Sequence, residues 1–584
     1  MIKKLYKEMS VAQILSSMTV IICLLIDSIM IGRFLGVDSM AAYGLANPLL
    51  LVFSALASML SSGISVVCGK TIGKGDKKGT NGHFSTAIII SSIILAIGIL
   101  VVIIFRSQVA CLLGAEQGTK IHELTSSYLL GFIIGAPAFF FAMLMIPFVQ
   151  FAGEQKRLIL AVAIMTFGDI FFDILNVFVF KGGMLGMGLA SSLSYYAAII
   201  VGLPYFFNKD CIFKFSLKSF SKSRLVELLK AGIPTIINML STVMLTYTFN
   251  QILIRISGSR AVAAYSIIAT IGNLCYAFCI GFAGVILILA GVYYFEEDRL
   301  SLVELVKVMV KSNTWVDFIV ALVAIIFAPF IVKLFLGNDP TAAPMAVIGV
   351  RIFALSVVPS SLNTAFKHFY QGTGRLRTTK ALSILQNFAA PTFFAFVLSF
   401  FAGTNGVWSG YVFGELTVLA LICINTWRFN KKITFSASAF AMLEKKFGVG
   451  QKDTMNMEIM TPQDVIKASQ ASTDYCINHG KTNKASMYVG LCIEELCNNI
   501  IQYGFNDGKN HLIDLKLFVK KDELLIRIKD DCVSFDPVNY LKSENPDDKT
   551  HHIGIKMVSD IAKSFNYTNT MSLNSITITL GLDD

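Results

Sequence analysis

Charge is scarce in this chain of 584 residues: Asp, Glu, Lys and Arg make up 15% of it, against 54% hydrophobic residues. Water-soluble domains carry roughly 25% charged residues, so an ordinary soluble protein is excluded. A mean hydropathy of +0.66 excludes a disordered chain as well. The 43 glycines show no three-residue period, which removes a collagen-like fold. The 11 cysteines show no framework spacing: Cys23, Cys275 and Cys423 lie in apolar runs, and Cys492, Cys497 and Cys532 in the polar tail. Neither a secreted disulfide scaffold nor a zinc site is expected. No small-residue cleavage site follows the basic start at Lys3, Lys4 and Lys7, so a cleaved signal peptide is not expected. A Walker-type phosphate loop is missing too, because Gly63-x5-Gly69-Lys70-Thr71 has one residue too many and ends an apolar run.

What is present falls into two parts of opposite charge. From Asn456 onward there are 13 basic and 18 acidic residues, net −5, whereas the remainder holds 36 and 20, net +16. Apolar stretches of about 20 residues, enough to cross a bilayer, recur near 10–33, 44–67, 85–105, 125–151, 158–180, 184–207, 232–256, 261–293, 306–335, 343–371, 380–402 and 404–427. The breaks alternate in charge. Lys3/Lys4/Lys7, Lys70 to Lys78, Lys156/Arg157, Lys209 to Arg224, Arg375 to Lys380 and Arg428 to Lys432 share one side, and the opposite connections are short and poor in Lys and Arg. The positive-inside rule then places both termini in the cytoplasm of a multi-pass cell-membrane protein.

An internal repeat is legible. Gly36-x4-Ala41-Ala42-Tyr43 returns as Gly258-x4-Ala263-Ala264-Tyr265, an offset of 222, and Gln150-x2-Gly153 returns as Gln371-x2-Gly374, an offset of 221. Gly186-Met-Gly188 has an echo at Gly403-x2-Gly406. Two six-span halves in the same orientation are expected, a transporter plan in which a central cavity opens to alternate faces. The fold expected is an all-α membrane part of twelve transmembrane helices in two parallel six-helix repeats, followed by a C-terminal α/β sandwich. The divisions are 1–222 and 223–430 for the two bundles, 431–457 for a helical linker and 458–584 for the tail domain.

Ionisable groups inside spans are costly, at least about 2.5–3.5 kcal/mol at the centre, and mark functional sites. Span 1 carries Asp27; span 5 carries Asp169, Asp173 and Asn176, whose i, i+4, i+7 spacing puts them on one helix face. Two carboxylates one turn apart repel, so such a pair suits a held proton or a shared cation such as Na⁺. In the second half Glu415 is read as the one clear carboxylate, and ion coupling is expected to reside in the first half.

The stretch Ile26-Asp27-Ser28-Ile29-Met30-Ile31-Gly32-Arg33-Phe34-Leu35-Gly36, with Ala41-Ala42 and Asn47-Pro48 behind it, resembles the first span of the multidrug and toxic compound extrusion (MATE) family. Gly73-Lys74-Gly75-Asp76, Gly186-Met187-Gly188-Leu189-Ala190 and Gly406-Val407-Trp408 are similar to later signatures of that family, and the likeness covers about the first 430 residues. It implies export of cationic or drug-like small molecules coupled to inward flow of H⁺ or Na⁺. Asp27 matches the family's first-span acid. The fifth-span Leu-Asp position falls on Leu175-Asn176, leaving Asp173 and Asp169 one and two turns earlier.

In the tail, Thr461-Pro462 starts a helix with a Thr cap and Pro at its first position, and Ile526 and Ile528 alternate with Arg527 and Lys529 as in a strand. Three clusters stand out: Glu494-Glu495-Leu496-Cys497-Asn498-Asn499 on a helix, Asp530-Asp531-Cys532-Val533-Ser534-Phe535-Asp536-Pro537 at a strand end, and His551-His552-Ile553-Gly554-Ile555 opening a helix. Glu495 and Asn499 share a helix face, a carboxylate and an amide that suit Mg²⁺-bound phosphate, and the helix opening suits phosphate. The ordered set resembles the N box and two glycine boxes of the histidine-kinase-like ATPase superfamily, in its anti-sigma-factor serine kinase branch. That resemblance implies ATP and Mg²⁺ as cofactors, Glu495 as base, Asn499 as Mg²⁺ ligand and Asp530 as adenine reader, with Asp536 and Gly554 beside the nucleotide. Cys532 and His552 stand where that family has glycines, which let backbone approach a ligand, so weak binding is expected. The expectation overall is an ion-coupled efflux transporter surrounded by membrane lipid, with a nucleotide-binding tail that regulates it or engages a cytoplasmic protein, and no nucleic-acid partner. A membrane-tethered serine kinase with a sensor-like transporter half and a flippase for lipid-linked saccharides are the alternatives.

Overall fold

Apolar runs placed in lipid must satisfy their backbone groups internally, and helices do so. In a computed structural model, residues 1–208, 211–336, 342–543 and 553–581 are described. Spans 1 to 6 are Ile2–Leu35, Asp38–Gly73, Lys77–Leu112, Lys120–Ala152, Gln155–Phe180 and Gly183–Phe207. Spans 7 to 9 are Lys222–Gly258, Arg260–Phe295 and Arg299–Lys333; span 10 is bent by 46° between Ala342–Ala354 and Val357–Gly372. The remaining helix, Leu376–Asn430, would reach about 80 Å if straight, against a hydrocarbon core of about 30 Å. It is broken at Gly403 (φ 54°, ψ −130°). Its arms fold together, because a Cβ on Gly406, Gly410 or Gly414 would strike Leu398, Ala395 or Pro391. These arms are spans 11 and 12, completing the expected twelve.

The repeat is structural as well as sequential. Gly36 and Gly258 join the first two spans of their halves with φ of 89° and 70°, a backbone that only glycine adopts cheaply. The halves, called lobes below, meet at the span ends next to the tail. A Cβ on Gly69 of span 2 would lie 3.4 Å from Gly291 Cα of span 8, and one on Gly63 would lie 2.5 Å from the Leu228 carbonyl of span 7. Lys70 and Glu227 add an ion pair of 2.6 Å across the same seam.

The tail is a five-stranded antiparallel sheet in the order β1-β2-β3-β5-β4, with β1 Thr454–Ile459, β2 Ile513–Val519, β3 Glu523–Asp530, β4 Ser564–Thr570 and β5 Leu573–Gly581. Leu515, Ile528 and Ile576 stand opposite one another in register, as do Leu517, Ile526 and Ile578. With Val465, Ala468, Val489, Ile493 and Leu496 of helices α1 (Pro462–Asn478) and α2 (Asn483–Gly504) they form one buried apolar core. Two short helices, α3 (Pro537–Ser543) and α4 (Ile553–Ile561), complete the domain. Thr461 accepts from the Asp464 amide and Asp464 caps back, with Pro462 in the first turn of α1.

The segment 431–457 departs from the helical linker expected. Its only α-helical turn is Ala437–Phe440, and its last four residues already belong to β1. The segment is pinned instead by the bundle: Phe447 stacks on Tyr294 with centroids 4.8 Å apart, and Phe440 on Phe366 at 5.2 Å. Arg299 donates to the Phe447 carbonyl at 3.2 Å and also to that of Glu444.

Candidate functional site

Span 1 and span 5 bring three carboxylates together. Asp27, Asp169 and Asp173 each offer an oxygen, all within 4.8 Å of one another, and all three residues are buried. The one-turn spacing in span 5 aims both of its acids at Asp27. Span 6 supplies hydroxyls: Ser191 donates to Asp27 at 3.5 Å and Ser194 to Asp169 at 3.3 Å. Four carboxylate oxygens have no hydrogen-bond partner among the described residues, namely Asp27 Oδ1, Asp169 Oδ2 and both of Asp173. Buried acceptors left unsatisfied are costly, and an all-oxygen, anionic donor set suits a hard monovalent or divalent cation, or protons.

Asn176 does not join them. Leu175–Phe180 is a π-helix, whose wider turn breaks the i, i+4, i+7 alignment. Asn176 Nδ2 donates to the Gly183 carbonyl and its Oδ1 accepts from the Gly182 amide, both at 3.1 Å. It therefore ties the turn between spans 5 and 6.

Glu415 lies in the other lobe, within a separate polar cluster. Asn363 donates to its carboxylate at 2.7 Å and Gln386 at 3.2 Å. Lys367 of span 10, 1% exposed, donates to Gln386 at 2.9 Å and to Asn238 at 2.6 Å. Asp317 of span 9 is fully buried, accepts from Ser361 through one oxygen and leaves the other without a partner among the described residues. The reading of Glu415 as the one carboxylate of the second half is thus corrected. Asp317 and Lys367 were each visible as an ionisable residue in an apolar run, the same signal that marks Asp27.

In the tail, Glu495 and Gly554 meet, since a Cβ on Gly554 would fall 1.9 Å from Glu495 Oε2. Asn499 is half-buried one turn further along α2. Asp530 ends β3, buried; burial pushes its carboxyl up, against bonds from Asn574 and the Cys532 amide. Those bonds, 2.7 and 3.0 Å, both run to Oδ1. Asp536 caps α3: its carboxylate accepts from the Val538 and Asn539 amides at 3.0 and 2.9 Å and from Asn539 Nδ2 at 2.9 Å. Cys532 packs over Gly504, where an added Cβ would lie 2.8 Å from its sulfur. His551 and His552 lie outside the described residues.

Comparison with known proteins bears on the fold and the family. The MatE family model matches residues 12–175 and 234–396, two segments displaced by the offset of the internal repeat. A model described as histidine kinase-like ATPase domain matches residues 460–580. The multidrug export protein MepA of Staphylococcus saprophyticus is 25% identical over 419 residues, 71% of this chain and 91% of that protein. MepA of Staphylococcus aureus is 23% identical over 390 residues, 66% of this chain and 84% of that protein. Among solved structures, an outward-facing multidrug resistance MATE family transporter of the MOP superfamily superposes with a TM-score of 0.67 at 22% identity, covering 72% of this chain and 94% of that one. A MOP superfamily transporter from Pyrococcus furiosus matches with the same values; at this identity both likenesses concern the fold. The chain belongs to the MatE family of membrane transporters and carries a histidine kinase-like ATPase domain behind its twelve spans.

Proposed function

We propose that this protein is a secondary active exporter of cationic, drug-like small molecules, driven by inward flow of H⁺ or Na⁺ through the Asp27–Asp169–Asp173 cluster. One observation carries the reading: four buried carboxylate oxygens converge there without a partner among the described residues. A cation or protons entering the cluster would relieve its repulsion, and their departure would restore it, which gives the ion gradient a handle on spans 1 and 5. The relatives named as multidrug export proteins support the substrate class. The basic faces of the connections support a cytoplasmic location for both termini.

The tail is proposed to be a regulatory nucleotide-binding domain rather than the motor. Asp530 would read adenine through its buried carboxylate at the end of β3. Asn499 would hold Mg²⁺, and Glu495 stands beside Gly554 in position to act as base. When bound, Mg²⁺ would neutralise phosphate charge. Cys532 in place of a glycine opposes a close phosphate cradle, so turnover is expected to be slow or absent. Proteoliposomes given a proton or Na⁺ gradient and no ATP test the energy source. Dye movement is expected; movement that needs ATP hydrolysis and ignores a collapsed gradient would refute the antiporter reading.

A further inference from the structure

The tail's sheet has two buried faces. One covers its own helices; the other carries Asp514, Lys516, Arg527 and Lys529 and is pressed against the connection between spans 8 and 9. Lys516 Nζ lies 2.7 Å from Asp298 and Lys529 Nζ 2.8 Å from Glu296, with Arg527 3.7 Å from both acids. Asp298 is fully buried and Lys516 4% exposed. Burial alone would push the Asp298 carboxyl up, but Lys516, Arg527 and Lys529 outweigh it and hold it well below the usual range. This is a desolvated anchor to the second lobe.

A different part of the tail grips the first lobe. The two-residue hairpin between β4 and β5 puts Met571 and Ser572 at φ 58° each, a conformation that Asn-Gly adopts and bulky L-residues resist. The outlier is used for contact. The Met571 amide donates to the Phe151 carbonyl at 2.6 Å and Ser572 Oγ to that of Gly153 at 2.5 Å, at the end of span 4. Met571 and Leu573 are buried within the apolar cluster of the membrane part, not that of the tail. Lys4 of span 1 adds an ion pair of 2.7 Å to Asp531. At the end of β3 and just past it the order is therefore Lys529 on the second lobe, Asp530 at the proposed nucleotide position, and Asp531 on the first lobe.

We propose that the tail is a clamp: bound at once to the ends of span 4 and of span 8, it holds the two lobes together on the basic face, and that face opens only after the tail lets go of one lobe. The lobe seam described above is closed at the same face, as a clamp requires. The inference rests on reading the membrane part as an alternating-access transporter, and does not require nucleotide binding.

The test uses the full chain in lipid, with Cys111 replaced by Ser and spin labels on Lys78→Cys and Arg377→Cys, exposed residues at the basic ends of spans 3 and 11. A separate label on Asp522→Cys reports the mobility of the tail. Met571→Asn with Ser572→Gly and Lys4→Gln keeps a two-residue hairpin, with a better turn sequence, and removes the side-chain contacts of the grip on the first lobe. Asp298→Lys breaks the other anchor from the membrane side and leaves the tail sequence unaltered. The parent should give one short inter-lobe distance, and each variant should add a longer population as the Asp522 label becomes mobile. A freed tail with the inter-lobe distance unchanged overturns the clamp; so does a tail that stays immobile when both anchors are broken. Distances are read without transport, so an inactive parent would count against the efflux reading alone.

Discussion

Replacing Asp173 by Asn tests the acidic cluster most directly. With carboxylate oxygens no more than 4.8 Å apart, each ionised pair repels by about 3.5 kcal/mol at an effective dielectric constant of 20. Three such pairs exist when the cluster is fully ionised and ion-free, and the substitution deletes two, about 7 kcal/mol. The variant should therefore be more stable than the parent in a Na⁺-free buffer of high pH. The parent should recover stability when the coupling ion is supplied, by about 2.7 kcal/mol at a hundredfold excess over its dissociation constant. In the variant this gain should largely vanish, and gradient-driven efflux with it. The assay is thermal unfolding in detergent across Na⁺ concentration and pH, paired with dye efflux. Whichever of Na⁺ or acid restores the parent identifies the coupling ion. A variant that keeps the parent's full response to both and exports at the parent's rate would refute the assignment.

Asp27→Asn should abolish gradient-driven efflux while membrane insertion stays intact; efflux at the parent's rate would remove span 1 from the coupling site. Calorimetry on residues 450–584, which retain all five strands, should find weak binding of Mg²⁺·ATP, lost in Asp530→Ala and partly strengthened in Cys532→Gly. No binding at millimolar nucleotide would recast the tail as a protein-interaction domain. Burial would lower the His511 pKa, but Asp507 and Asp531, which bond its two ring nitrogens at 2.7 and 3.1 Å, outweigh it and raise it. That stabilisation is complete below the ordinary value near 6.5 and is lost as pH rises through the folded value. Tail stability should accordingly fall with rising pH in that window, and His511→Gln should flatten the profile; an unchanged slope would dismiss the contact.

The twelve spans, the two halves, and the identity of the tail domain were all legible from local properties. Hydropathy makes a span wherever about 20 apolar residues run together, because lipid leaves the backbone no other solution. Glycines at Gly36 and Gly258 announce a turn because their φ demands them. Asp27, Asp169 and Asp173 stand out because a carboxylate in an apolar run has no local justification. Periodicity failed at Asn176, where a π-helix starts one residue earlier and turns the side chain toward Gly182 and Gly183. It was silent on β1, an edge strand whose Met-Asn-Met-Glu sequence acquires its pairing from Ile513–Val519. The alternation of Ile526 and Ile528 with Arg527 and Lys529 establishes a two-faced strand but not what covers the charged face. Only the tertiary structure decides that, by bringing Glu296 and Asp298 from more than 200 residues away. Local sequence sets which backbone conformations and which faces are possible; the partner of a buried charge depends on which distant surfaces fold against it.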